Sequence, residues 1–368
     1  MTQLPNIEET IFIALASDII DHSMKKEKTR SSLRLTRRFW NNFATIARRQ
    51  LGSLEMLTDI GNKELMELIK EALKLSEIRN STEKFLESET ENILGFVRSR
   101  CEHVSIVENT LKKFLEFGIK VVTILSHEYP YVLRQKLRDN TPPLLYYSGN
   151  LKLCNDEGVA IVGSRQPSRN AVVVAQKLAQ TCALEGFTVV SGGAKGIDSI
   201  AHDTALEHGG NTVVFLSCEM LYILKCSEKK KCSDNRRFVI DSMKLTDEGR
   251  LLLISAVHPN AKFFTGNAMD RNKFIYTLSR AAFVVAANES GGTINGAMEN
   301  LKKGYSQLWV VDYDLSGTDG GTPPGNKTLM KAAAVRRILE SKILSNQFSV
   351  KNMFYTESLP RHGLFDFQ

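Results

Sequence analysis

Three short stretches, Gly163-Ser164-Arg165, Ser191-Gly192-Gly193-Ala194-Lys195-Gly196 and Ser290-Gly291-Gly292-Thr293, each set glycine beside a hydroxyl or a cation, just after an apolar run. Glycine lets a ligand approach the backbone, a hydroxyl donates a hydrogen bond, and a guanidinium offers a fork that matches phosphate. Each stretch leads into a helical pattern, whose first amides point back toward the loop and attract anions. The chemistry these residues suit is anion binding, which needs donors and positive charge but no general base. Taken alone, Gly163-Ser164-Arg165 matches neither GxGxxG nor the P-loop pattern, and a tight strand-to-helix turn with no ligand explains it as well. The second stretch says more: three glycines in five positions exceed what a plain turn needs, and Lys195 projects from a loop with few other side chains.

Other residues are weighed beside these. Asp198 or Ser199 is placed to cap the helix after the second stretch. His202, four residues beyond Asp198, reads as a packed core histidine and is assigned no catalysis. Arg271 and Asn272, in GNAMDRNKFIYTLSRA, fall just before a predicted helix and offer a fourth phosphate contact; a surface arginine near a helix start is the plainer alternative. Phe263, Phe264 and Tyr276 are candidates for base stacking, with hydrophobic packing the plainer reading of each. Six cysteines form no CxxC pair, and Cys218, Cys226 and Cys232 with His258 lack zinc-knuckle spacing, so neither a metal nor a cofactor is expected.

Loops of this kind need a scaffold that points them the same way. The runs VVTIL, LLYYS, VAIVG, FTVVSG, NTVVFLS, LLLISA, AAFVVAA and QLWVVD are short, β-branched and bounded by Gly or Ser, and most are separated by helix-length segments. That alternation predicts buried parallel strands in a doubly wound, mostly parallel α/β sheet, where ligands bind beyond the carboxyl ends of the strands. One helix is expected from about Asn170 to Glu185. Upstream of Gly118 the apolar residues recur every three or four positions, which predicts an all-α N-terminal domain. The expected division is 1–117 helical domain, 118–340 α/β domain and 341–368 C-terminal tail. From Met24 to Arg49 nine Lys or Arg face one Glu, with Phe39 and Trp40 among them. Two readings stay open there: a solvated helix face with its aromatics turned to the core, or a nucleic-acid surface.

Composition limits the classes. A chain of 368 residues with 42% hydrophobic and 24% charged residues is a folded globular protein of two or three domains. No apolar run is long enough to span a bilayer, and the N-terminus carries acids where a signal peptide needs Lys or Arg, so a cytoplasmic protein with no membrane partner is expected. A net charge of +7 suits a polyanionic partner without requiring one.

The order YPYVLRQKLRDNTPPLLYYSGN, VAIVGSR, VVSGGAKGIDSIAHDTAL, DRNKFIYTLSRAAFVVAA, SGGTINGAMENLKKG and GNKTLMKAAA resembles the DprA/Smf family of DNA-processing proteins, which shares a superfamily with the LOG nucleotide hydrolases. The resemblance covers roughly residues 118–340, and its most specific part is the GSR and SGGAKGID pair, about 25 residues apart. It implies a Rossmann-like domain that binds single-stranded DNA in a basic pocket, forms a homodimer, and helps load a RecA-type recombinase during natural transformation. By position, Gly163, Ser164 and Arg165 match the family's GSR turn. Gly192, Gly193 and Lys195 match its second loop, flanked here by Ser191 and Gly196. Arg271 and Asn272 match its RN element, and Ser290 and Gly291 its SG helix start, continued by Gly292 and Thr293. The role implied is binding, not catalysis.

This sequence also departs from the pattern. EMLYILKCSEKKKCSDNRRF replaces a shorter family stretch, and MDRNKF lacks the Phe-Pro that often precedes RN. About thirty residues follow the last α/β element, too few for the winged-helix domain of some members, and the N-terminal region has no clear helix-hairpin-helix glycine pattern. A role in a mobile element or defence locus stays open. Two alternatives use the same pocket. One is a sensor of a nucleotide-derived signal; the other is a LOG-type phosphoribohydrolase, with Glu299 and Arg271 as its pair. The hydrolase motif PGGxGTxxE sets its Glu three residues after Thr, whereas Glu299 follows Thr293 by six, a rotation of about 300° around a helix.

Overall fold

The computed structural model describes residues 4–24, 35–76, 83–229, 237–313 and 321–355. Helices open the chain: α1 (Ile7–Ala16), α2 (Ile19–Met24), α3 (Arg37–Leu51), α4 (Asn62–Leu75), α5 (Glu83–Glu102) and α6 (Val104–Leu115). Strands and helices then alternate through β1 (Lys120–Thr123), α7 (Tyr131–Leu137), β2 (Leu144–Ser148), β3 (Gly158–Gly163), α8 (Arg169–Leu184), β4 (Thr188–Ser191), α9 (Ile197–Glu207) and β5 (Thr212–Leu216). Next come α10 (Met220–Lys229), α11 (Arg237–Ile240), α12 (Ser242–Asp247), β6 (Leu251–Ser255), α13 (Thr265–Thr277), β7 (Ser279–Ala286), α14 (Gly292–Lys303) and β8 (Gln307–Asp312). The described chain closes with α15 (Pro324–Leu329), β9 (Val335–Leu339), α16 (Glu340–Leu344) and α17 (Val350–Tyr355). Two compact units result, Met1–Asn155 with Val213–Leu278, and Asp156–Thr212 with Ser279–Gln368.

In the first unit the strand order is β1-β2-β6-β5. Here β1 pairs β2 and β2 pairs β6 antiparallel, with Tyr146 opposite Ser255. The expectation of parallel strands fails for these two pairs, because apolar runs separated by helix-length segments do not by themselves fix strand direction. The helices bury their own core, including Phe12, Phe39, Trp40, Phe43, Leu68 and Val97. Arg37 pairs with Asp270, Arg38 with Asp139 at 3.4 Å, Arg48 with Glu8 at 3.1 Å and Arg49 with Glu71 at 2.5 Å. The described part of the basic stretch is therefore an ion-paired helix face with its aromatics in the core. Lys25, Lys26, Lys28, Arg30 and Arg34 lie outside the described residues. So does Cys232 of the unfavoured zinc set, while Cys226 and His258 are buried.

The second unit carries the order β4-β3-β7-β8-β9, and its paired strands β3–β4, β3–β7, β7–β8 and β8–β9 are all parallel. From β3 the chain reaches β4 on one side and later β7 on the other, so the strand order reverses between β3 and β7. That reversal point is where an open α/β sheet leaves a crevice. Ala171, Val174, Ala175, Leu178, Ala179 and Cys182 form the apolar stripe that α8 lays on Val159, Ile161 and Phe283. Ile343, Phe348, Val350 and Met353, near the C-terminus, belong to the same core. Every strand expected from the sequence is present. Strand β9 was not anticipated, because VRRIL buries only Ile338 and reads as polar. Helix α13 begins at Thr265, so Arg271 and Asn272 sit inside the helix and not just before it. Among the described residues no helix is long and apolar enough to cross a membrane.

Candidate functional site

The carboxyl ends of β4, β3 and β7 release three loops in the second unit, and direct contacts tie them together. Ile197, first in α9, donates its N–H to the carbonyl of Ser164 at 3.1 Å. Gly196 precedes it at φ +86°, and a Cβ there would stand 2.3 Å from the Ser164 carbonyl oxygen and 2.8 Å from the Arg165 backbone. Only glycine fits this approach. From the other side Thr293 Oγ1 donates to the carbonyl of Gly163 at 3.1 Å. The structure thus gathers Gly163–Arg165, Ser191–Gly196 and Ser290–Thr293 around the reversal point, with Arg165 and Lys195 both exposed.

Within this cluster many neutral groups already have partners. Ser191 is buried and donates Oγ to Ile161 O at 2.7 Å, so it stitches β4 to β3. Ser164 Oγ accepts from Gln166 N–H at 3.1 Å and shapes its own turn. Gly192 N–H donates to Asp198 Oδ2 at 3.2 Å. Ser199 N–H reaches Ala194 O at 3.1 Å, and Ser199 Oγ donates to Gly196 O at 3.1 Å. Neither Asp198 nor Ser199 caps α9: the cap position is Gly196 with no side-chain bond, because Asp198 turns to the preceding loop instead. Helix α8 keeps its cap, Ser168 Oγ accepting from Ala171 N–H at 3.3 Å. Helix α14 opens at Gly291 without a side-chain cap, and Ser290, Gly291 and Gly292 are exposed.

A fourth contributor was missed in the sequence. Asn326, fully buried in α15, accepts from Ala287 N–H at 2.8 Å through Oδ1 and donates through Nδ2 to Val285 O at 3.0 Å and Val311 O at 2.7 Å. Its neighbour Gly325 donates N–H to Ala287 O at 2.9 Å, and a Cβ on Gly325 would stand 2.2 Å from Asn288 O. The backbone leaving β7 for the third loop is therefore held on both its N–H and its C=O. Nothing local in GNKTL shows that its Asn bonds to strands far away in sequence.

The remaining candidates are placed as follows. His202 is fully buried, with Nδ1 2.6 Å from Thr212 Oγ1, which itself donates to Val189 O at 2.8 Å. With that hydroxyl proton committed, Nδ1 carries the imidazole proton and donates, as a packed histidine would. Arg271 belongs to the first unit, buried, with Nη1 donating to Phe215 O at 3.1 Å; Asn272 beside it is half-buried. Of the aromatic candidates in that unit, Tyr276 is a core residue, whereas Phe263 and Phe264 are 53% and 64% exposed. On α14 the third position after Thr293 is Gly296, and Glu299 follows a turn later, so the hydrolase pattern finds no carboxylate where it needs one.

The family described as DNA recombination-mediator protein A matches residues 120–346. Protein Smf of Synechocystis sp. is 30% identical over 233 residues, 62% of this chain and 54% of that relative, so the match spans about half of the relative's length. DNA processing protein DprA of Streptococcus pneumoniae is 26% identical over 276 residues, 71% of this chain and 91% of that protein. The X-ray structure of DprA from the same species superposes with a TM-score of 0.59 at 20% identity, covering 88% of this chain and 94% of that one. At that identity the likeness speaks to fold, which is the α/β, Rossmann-like fold described above.

Proposed function

The chain belongs to the DNA recombination-mediator protein A family, the DprA/Smf proteins, and on that premise we propose that it binds single-stranded DNA through phosphates at the three strand-end loops. The observation that carries this reading is the knotting of those loops at the reversal point, with Arg165 and Lys195 left exposed on two of them. Such a site meets a phosphate backbone and reads no bases, which suits a strand of any sequence. We assign it a binding role without catalysis. A buried histidine with a fixed tautomer and a helix with Gly296 in the place of an acid support that assignment. Loading of a RecA-type recombinase, homodimer formation and a cytoplasmic place in DNA uptake are the finer parts of the proposal, and they rest on the family.

Fluorescence anisotropy of a labelled oligo-dT series across a salt titration tests it, with duplex DNA as control. The expected result is affinity that rises with length and falls steeply with salt, and a salt slope about one unit shallower in Arg165→Ala and in Lys195→Ala, with unchanged circular dichroism. Absence of binding at every length, or full affinity in both variants, removes the reading. Saturable binding of mononucleotides with no length dependence would favour a nucleotide sensor.

A further inference from the structure

The second loop has the glycine pattern of an anion cradle, yet an acid occupies it. Gly192 N–H is directed at Asp198 Oδ2, and Asp198 is only 8% exposed in the first turn of α9. Asp198 follows by two residues the glycine whose backbone abuts Ser164 and Arg165, so the acid and the Gly-Ser-Arg turn belong to one cluster. An anion held by Arg165 and Lys195 therefore shares that cluster with a carboxylate. Repulsion from a fixed charge scales with the charge of the ligand and is strengthened where water is scarce. A phosphodiester carries one negative charge, whereas a phosphomonoester carries about 1.5 to 2 near neutral pH, with its second pKa near 6.

We propose that Asp198 is a specificity-determining residue that makes the strand-end site favour the singly charged phosphodiesters of a polymer over the doubly charged phosphate of a mononucleotide or of inorganic phosphate. The proposal rests on the reading of these loops as a phosphate site, and it names the chemical class that the site accepts. It also explains how a phosphate cradle rejects abundant small phosphates: the discrimination lies in charge, not in the shape of a closed pocket.

The test compares the full chain with Asp198→Asn, whose side-chain carbonyl still accepts from Gly192 N–H while the charge is gone. Binding of inorganic phosphate, methyl phosphate and dimethyl phosphate is followed by NMR line broadening at matched ionic strength, beside oligo-dT anisotropy. At neutral pH the substitution is expected to raise affinity for inorganic and methyl phosphate about ten-fold, and for dimethyl phosphate and oligo-dT about three-fold or less. That gap is expected to shrink below about pH 6, where the monoester becomes singly charged. Equal affinity of the two proteins for phosphate overturns the proposal, whether or not DNA binds. Should Asp198→Asn not fold, the unaltered chain decides: preference for dimethyl over methyl phosphate supports the proposal, and the reverse order sinks it. If neither protein binds oligo-dT while Asp198→Asn gains phosphate, the single-strand reading falls and the role of Asp198 stands.

Discussion

Two buried histidines show how partners decide what a residue type means. His202 is locked as a donor to Thr212 and ties α9 to that residue within the second unit. His258, in the first unit, accepts Asn260 N–H at Nδ1 over 3.1 Å and stacks on His22 at 4.2 Å. Burial pushes the His258 imidazole down from 6.5 to about 4; Asp18 opposes that shift and His22 adds to it. A depressed native pKa means that the unfolded chain takes up the proton first. His258 therefore stabilises the fold fully above about pH 6.5, and its contribution is lost as pH falls toward 4. The loss is on the order of 3 kcal/mol. Denaturant midpoints measured across that window should decline in the unaltered chain and decline less in His258→Asn, whose carbonyl still accepts from Asn260; parallel pH profiles would contradict the argument. Asn326 supports a second prediction at this scale. Asn326→Ala leaves Ala287 N–H, Val285 O and Val311 O without their partner in a buried place, so urea unfolding should show a loss of about 2–4 kcal/mol. A loss under about 1 kcal/mol would mean that water replaces the amide.

At the scale of elements, the strands and loops were the readable part, and the traffic between them was not. Runs such as VAIVG and AAFVVAA announce themselves because both of their faces are buried, whereas VRRIL, with two arginines and only Ile338 buried, hides a strand that pairs fully with β8. The glycine loops were legible because their composition is unusual at any position. Which of their groups are engaged could not be read, since Ser191 bonds to Ile161 thirty residues earlier and Asn326 to Ala287 thirty-nine residues earlier. Arg271 was misplaced for a related reason: without a capping side chain, nothing local marks Thr265 as the start of α13. Gly196 is the joint where both kinds of information meet. Replacing it by Ala puts a Cβ into the Ser164 backbone at a positive φ, so the first and second loops must part. Gly196→Ala should cost about 1–3 kcal/mol in unfolding and weaken oligo-dT binding more than an equally destabilising core substitution does. Binding that tracks stability alone would show that loop contact is not needed for the site.

The whole molecule is built from units that are discontinuous in sequence, and this gives the C-terminal residues a weight that position alone does not suggest. Ile343, Phe348, Val350 and Met353 fill the core of the second unit, against helices and strands laid down far earlier in the chain. Helix α17 is also pinned at the surface. Tyr355 Oη donates to Glu157 at 2.5 Å, Arg280 Nη1 donates to the same carboxylate at 2.7 Å, and Lys351 N–H donates to Glu185 at 2.7 Å. These polar ties are exposed and contribute little, so Tyr355→Phe should melt close to the unaltered chain. The apolar side chains are another matter. Large-to-small changes at buried sites cost about 2–5 kcal/mol each, and a domain holds only about 5–15 kcal/mol in all. A chain ending at Glu340 loses four such side chains at once, and its second unit, with the three phosphate loops on it, should not fold. Circular dichroism, limited proteolysis and oligo-dT anisotropy on that truncation, with Met353→Ala as the graded control, would show lost helix content, rapid cleavage between residues 156 and 212, and no binding. Survival of the three loops' binding in the truncated chain would mean that the sheet stands without α16 and α17, and that those helices cover it without supporting it.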